Sequence, residues 1–139
     1  TNQRLDAEKV AKETNLLLNL TNTESRFTGA SDLLINADLT YQSQDFLNRD
    51  LMVALIYSYT SDYIYSLGVE GRGNLVNKGI GTIDAVMKFN LFRNVVLDLG
   101  LKNLTNPTYK RVQQQGGKDI PVMQFNKGRF YSIGITIKK

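Results

Sequence analysis

The clearest pattern in the chain is a period-two alternation of apolar and polar residues between positions 82 and 106. Such alternation is typical of a β-strand with one face shielded from water and the other face in it. We therefore predict a hairpin of strands 82–91 and 95–106. Its apolar face carries Ile83, Ala85, Met87, Phe89 and Leu91, followed by Val95, Leu97, Leu99 and Leu101.

The loop of this hairpin sets its register. A two-residue turn would pair Phe89 with Asp98 and mix apolar with charged residues on one face. A three-residue loop at 92–94 instead pairs Phe89 with Leu97 and keeps both faces consistent. Three-residue loops usually need one residue in the left-handed conformation, which Asn94 tolerates. We predict the three-residue loop.

That register also places opposite charges across the hairpin, with Lys88 facing Asp98 and Asp84 facing Lys102. Cross-strand ion pairs of this kind stabilise a hairpin. The two aspartates invite comparison with the carboxylate pair of glycosidases. Because a lysine faces each aspartate, the prediction is a set of structural ion pairs rather than a catalytic site.

Three other stretches alternate in the same way. They are 33–41, 50–67 (one long strand or two collinear ones) and 128–139, and 16–21 is a candidate short strand. The polar stretches between them differ in length: the turns at 42–49 and 92–94 are shorter, whereas 68–81 and 107–127 are long loops. The prediction is an all-β chain of antiparallel up-and-down strands.

Four tyrosines follow one another on the odd-numbered face of the long strand, namely Tyr57, Tyr59, Tyr63 and Tyr65. A tyrosine row at the end of an apolar face is typical of the aromatic girdle of a membrane protein. Tyrosine is also a common half-buried strand residue in soluble sheets. We predict that these four side chains lie at a lipid interface.

Composition narrows the function classes. The 139 residues include no cysteine and no histidine, which removes thiolate metal sites and the commonest general base. The net charge of +4 is spread along the chain, which is unlike a nucleic-acid surface. We expect no enzymatic activity, no metal and no cofactor.

Two architectures fit the pattern, a membrane β-barrel and a soluble β-sandwich. The strand lengths and the alternation of short turns with long loops favour the barrel. The five or six predicted strands are too few to close one, since the smallest such barrels have about eight. The sandwich alternative would be an extracellular binding module that uses its glycine-rich loops.

Three motifs resemble those of TonB-dependent outer-membrane receptors of the Bacteroidetes type. The stretch 26–41 is similar to their R-x-x-G-x-S-x-x-x-x-N-x-x-L-x-Y pattern, LGLKNLTN at 99–106 to their penultimate strand, and GRFYSIG at 128–134 to their last strand. The resemblance implies that the chain supplies the last five or six strands of a large transmembrane barrel, with 1–31 as an extracellular loop or partial strand and 32–139 as strands and loops.

The resemblance also implies a location and partners. The parent would be a bacterial outer-membrane transporter that imports a scarce ligand, such as a metal chelate, an oligosaccharide or a peptide. Its partners would be the rest of the barrel with its plug, outer-membrane lipid, and TonB through an amino-terminal part that this sequence does not include. The four ion-pair candidates, Asp84, Lys88, Asp98 and Lys102, would then face the lumen.

The resemblance places the two long loops outside the cell. Five basic residues would lie near the outer leaflet, where they could contact lipopolysaccharide phosphates: Lys110, Arg111, Lys118, Lys127 and Arg129. The alternative is that they only keep an exposed loop soluble.

Overall fold

The computed structural model describes residues 4–6 and 24–137, and within this part of the chain every regular element is a β-strand. The fold is all-β and antiparallel, and no described helix is long and apolar enough to cross a membrane. The predicted strand at 16–21 lies outside the described residues.

The strands are β1 (Arg4–Asp6), β2 (Glu24–Arg26), β3 (Leu34–Phe46), β4 (Arg49–Thr60), β5 (Tyr63–Ser66), β6 (Leu75–Asn77), β7 (Ile80–Phe92), β8 (Val95–Lys102), β9 (Thr108–Gln115), β10 (Lys118–Asn126) and β11 (Phe130–Ile137).

The described chain divides into two compact units, each built around one sheet. One unit holds a four-stranded sheet in the order β10-β9-β6-β5, and the other holds a five-stranded sheet in the order β11-β8-β7-β4-β3. Strands β1 and β2 form a separate two-stranded ladder. Neither main sheet closes on itself, so each has two edge strands.

The predicted register of the hairpin is confirmed. Strand β7 pairs with β8 through Met87 opposite Leu99, Lys88 opposite Asp98 and Phe89 opposite Leu97. The same register continues from β8 to β11, where Leu99 faces Ile133. Apolar residues therefore form continuous rows across three strands, because the side-chain period of two is kept in each.

The predicted three-residue loop is wrong in its details. The turn has two residues, Arg93 and Asn94, and Asn94 does not adopt a positive φ. The extra residue is taken up inside β7 as a bulge at Leu91, which leaves the register beyond it unchanged. The bulged Leu91 carbonyl accepts a hydrogen bond from Arg49 Nη1, so its polar group has a partner outside the ladder.

The predicted strand 33–41 and turn 42–49 also differ from the structure. Strand β3 runs on to Phe46, and the turn consists of Leu47 and Asn48 alone, with φ of 55° and 57°. Two successive left-handed residues form the type of turn whose twist matches that of a hairpin. The polar composition of 42–46 indicated a loop, whereas strand pairing decided its conformation.

The predicted strand 50–67 is divided between the two units. Strand β4 ends at Thr60, and β5 belongs to the four-stranded sheet. The break at 61–62 is held by side chains: Ser61 Oγ accepts a hydrogen bond from the Leu33 N–H at 3.1 Å, and Asp62 Oδ1 accepts one from the Gly79 N–H at 2.6 Å. Both bonds join the break to distant parts of the chain, so tertiary contacts rather than local sequence end the strand here.

The two predicted long loops contain strands. Strand β6 lies within 68–81, and β9 and β10 form a hairpin within 107–127. The hairpin turn is Gly116-Gly117, with φ of 57° and 75°, values that suit glycine. In the sequence, the feature that indicates this hairpin is the Gly116-Gly117 pair between two stretches with strand-forming residues.

Buried apolar side chains are few among the described residues. They are Ala54 in the five-stranded sheet, and Val76 and Val112 in the four-stranded sheet. Val76 pairs with Val112 on one side and with Ile64 on the other, so the small sheet has one apolar row. The five-stranded sheet has no comparable buried row among the described residues.

Candidate functional site

The apolar face of the five-stranded sheet is continuous, half-buried on β7 and β8 and exposed on the edge strand β11. Two of its rows run from β7 across β8 to β11, Met87–Leu99–Ile133 and Phe89–Leu97–Ile135. Ile133 is 76% exposed and Ile137 74%. Exposed apolar surface of this extent on a protein marks a contact with another apolar phase or partner.

The opposite edge strand has the same character. On β3, Leu39 is 71% exposed and Tyr41 60%. An ordinary soluble domain buries such residues in a core. Both edges of this sheet therefore carry large apolar side chains that the described residues leave uncovered.

The polar face of β7, β8 and β11 carries a small hydrogen-bonded cluster. Lys88 Nζ lies 3.9 Å from Asp98 Oδ1, and Thr136 Oγ1 donates to Asp98 Oδ2 at 3.3 Å. On the neighbouring strands, Asn90 Nδ2 donates to Asp50 Oδ2 at 2.6 Å. These side chains line a shallow depression. The cluster is suited to hydrogen bonding with water or with a polar partner.

The predicted ion pair between Asp84 and Lys102 does not form. The β7–β8 ladder ends at Ala85 opposite Leu101, and Asp84 Oδ1 instead accepts a hydrogen bond from the Asn103 N–H at 2.8 Å. The reason is that Asn103 takes a left-handed conformation, φ 58°, which turns the chain away from the strand direction. Sequence alternation alone does not predict where a strand ends.

Two asparagines bind the end of β8 to the start of β11. Asn103 is buried, and its Nδ2 donates to the Gly128 carbonyl at 2.5 Å. Asn106, also left-handed with φ 43°, accepts at Oδ1 a hydrogen bond from the Gly128 N–H at 2.9 Å. Arg129 Nε donates to the Leu104 carbonyl at 2.8 Å. The residues of the second and third motifs thus meet in one hydrogen-bonded turn.

The four tyrosines do not form one row. Tyr57 and Tyr59 lie on β4, whereas Tyr63 and Tyr65 lie on β5 in the other sheet. Tyr65 is 50% exposed, and the Arg111 guanidinium lies over its ring at 3.3 Å from the centroid. Their placement at a lipid interface stays a prediction.

The five basic residues lie in different settings. Lys110 and Arg111 are on β9, Lys118 begins β10, and Lys127 and Arg129 lie between β10 and β11. Arg111 is half-buried, and Asn77 Oδ1 accepts a hydrogen bond from its Nε at 2.8 Å. The other four are exposed. Their contact with lipopolysaccharide stays a prediction.

An ion bridge that the sequence pattern did not indicate lies in the unit of the four-stranded sheet. Lys78 Nζ contacts the Asp62 carboxylate and lies 3.4 Å from Asp119 Oδ2. Partial burial opposes ionisation of Asp62, but the hydrogen bonds from Lys78 and from the Gly79 N–H hold the pKa of its carboxyl below the usual value. The hydrogen bond to Asp62 raises the pKa of Lys78 despite some desolvation.

Scans of this chain against protein-family models, curated proteins and solved structures give no significant match. The resemblance to outer-membrane receptors therefore rests on the three motifs, and the function is argued from the geometry of the two sheets.

Proposed function

We propose that this chain forms the last strands of the transmembrane barrel of a TonB-dependent outer-membrane receptor. The observation that supports the proposal best is the apolar face of the five-stranded sheet, whose rows end at Ile133 and Ile135 in largely exposed side chains. Lipid would cover this face without a second protein layer. In a barrel, outward residues are apolar and alternate with inward polar ones.

The edges of the sheet support the same proposal. Strands β3 and β11 each have one side without a pairing strand among the described residues. Unpaired backbone groups are not tolerated in lipid, so membrane sheets close on themselves. We expect further strands of the parent polypeptide to pair with both edges.

The polar face would line the lumen. The Lys88–Asp98 pair and its neighbours Thr136, Asn90 and Asp50 lie on strands whose other face is apolar. In this arrangement they would contact water or the plug. The parent would import a scarce ligand with energy relayed by TonB, and this segment would supply barrel wall and outer loops.

Single-cysteine labelling of the intact parent in outer membranes tests the proposal. The sequence here has no cysteine, so each introduced thiol is the one reactive thiol of this segment. A fluorophore on Ile133→Cys or Ile135→Cys should be quenched by a nitroxide carried in the lipid tails. The matched controls, Ser132→Cys and Thr136→Cys, lie on the opposite face of the same strand and should be quenched only by a water-soluble agent.

The alternative soluble sandwich predicts a different result. A polypeptide that is monomeric in buffer without detergent, with both labelled faces equally insensitive to the lipid-borne quencher, would overturn the membrane assignment. A much larger polypeptide that is recovered only with detergent would agree with it.

A further inference from the structure

The side chain of Arg111 is held in a fixed orientation by two neighbouring strands. Asn77 lies opposite Arg111 in the β6–β9 ladder and accepts a hydrogen bond from its Nε at 2.8 Å. The guanidinium carbon also lies over the ring of Tyr65 of β5, 3.3 Å from its centroid. Stacking and the amide contact together remove most of the rotational freedom of a long side chain.

Arg111 has no counter-ion among the described residues. It is half-buried, yet no carboxylate of residues 4–6 or 24–137 lies within ion-pair distance of its guanidinium. Partly buried charges in proteins are normally paired. The Nη1 and Nη2 groups have no hydrogen-bond acceptor among the described residues.

We infer that Arg111 is the centre of an oxyanion site, in which Nη1 and Nη2 donate in parallel to two oxygens of a phosphate or carboxylate group. Nε already donates to Asn77 Oδ1. The edge of the guanidinium formed by Nη1 and Nη2 is the one that stays available for such a bidentate contact. Tyr65, which is 50% exposed, makes this position accessible from solvent. The site depends only on the four-stranded sheet, so it is independent of the membrane assignment.

The ligand class follows from the donor geometry. A planar fork with a fixed direction recognises two oxygens of one group, which a lone flexible lysine does not. The oxyanion could belong to a lipid headgroup or to a free solute. The experiment below separates these sources.

Protection against phenylglyoxal, a reagent selective for arginine, tests the site on the intact parent polypeptide. Modification of each arginine is quantified by peptide mass spectrometry, with inorganic phosphate as the probe and sodium chloride at equal ionic strength as its control. Phosphate should slow modification of Arg111 severalfold and leave that of Arg93 unchanged. Arg93 is the internal reference because it is exposed in the β7–β8 turn.

Variants test the orientation of the guanidinium. Asn77→Ala should weaken phosphate protection about tenfold, because charge-assisted hydrogen bonding depends on the fixed fork. Tyr65→Phe keeps the ring and should bind like the unmodified protein, whereas Tyr65→Leu should resemble Asn77→Ala. Unchanged protection in both Asn77→Ala and Tyr65→Leu would overturn the role assigned to the two contacts.

The source of the anion is decided by repeating the experiment with and without lipopolysaccharide. If Arg111 is protected before any phosphate is added, and this protection is lost when lipopolysaccharide is removed, the oxyanion belongs to the lipid headgroup. Protection that requires added phosphate in both preparations assigns it to a soluble ligand. If neither phosphate nor lipopolysaccharide slows the modification of Arg111 relative to its own rate in sodium chloride, the site does not exist.

Discussion

At the scale of single residues, the end of β8 shows how a few polar groups replace a predicted ion pair. Asp84 was expected to face Lys102, but it accepts a hydrogen bond from the backbone of Asn103. That N–H is partly buried, and the left-handed conformation of Asn103 directs it toward the carboxylate. An ion pair with Lys102 and a hydrogen bond from Asn103 predict different losses of stability when Lys102 is replaced.

We predict that Asp84→Ala destabilises the sheet by about 1–3 kcal/mol, the usual cost of leaving a buried donor without its partner. Asp84→Asn keeps an oxygen acceptor and should cost much less. Lys102→Ala removes only an exposed charge and should have almost no effect. The measurement is the denaturant midpoint of each purified variant, and a loss for Lys102→Ala as large as that for Asp84→Ala would favour the ion pair.

At the scale of elements, the pairing of strands decided more than local composition. The 107–127 stretch is polar and was predicted as a loop, yet it forms the β9–β10 hairpin. Val112 on β9 is buried against Val76 of β6, a residue 36 positions earlier in the chain. A long-range contact of this kind stabilises a strand whose own sequence is ambiguous.

The ion bridge of Lys78 links the segment before β5, the segment after β6 and strand β10. Asp62 has a lowered pKa, so its contribution is present above the unfolded value of about 4 and is lost as pH falls through the folded value. Lys78 has a raised pKa, so its contribution is present below about 10 and is lost as pH rises through the folded value. The bridge is therefore intact between these limits.

Asp62→Asn should therefore destabilise the four-stranded sheet between about pH 5 and pH 9, and the difference from the unchanged protein should shrink as the pH falls below about 4 and through the lower folded pKa of Asp62. The effect should be below about 1 kcal/mol, because both side chains are more than one-third exposed and solvent screens the charges. Amide hydrogen exchange of β5 and β6 as a function of pH measures it. An equal difference at pH 3 and pH 7 would indicate that the neutral hydrogen bond to Gly79, not the charge, is responsible.

At the scale of the whole molecule, the described residues contain too little core for the amount of apolar surface. Three buried apolar side chains, Ala54, Val76 and Val112, are far fewer than a soluble domain of this length would be expected to have. The exposed face of the five-stranded sheet is therefore expected to find its apolar environment outside the described residues. Lipid is the environment that the barrel proposal provides.

A charge on either face distinguishes lipid from water. We predict that Ile133→Lys lowers the amount of folded parent in the outer membrane, since a lysine facing lipid costs about 2–4 kcal/mol near the middle of the bilayer. Thr136→Lys on the opposite face of β11 should assemble normally. Heat-modifiable mobility in detergent gels measures the folded fraction, and equal assembly of both variants would argue against lipid contact at Ile133.

Sequence alternation by itself determined the all-β class and the two faces of the strands, because a slip of one residue would mix apolar with charged side chains. The register from Ala85 to Asn90 needed the position of the turn as well, since a slip of two residues would keep the faces unchanged. It failed where backbone conformation is set by distant partners. The bulge at Leu91, the break before β5 and the end of β8 at Asn103 each depend on a hydrogen bond from another part of the chain. The site around Arg111 was likewise decided by tertiary structure, since Tyr65, Asn77 and Arg111 come from three separate strands and meet only when those strands pair.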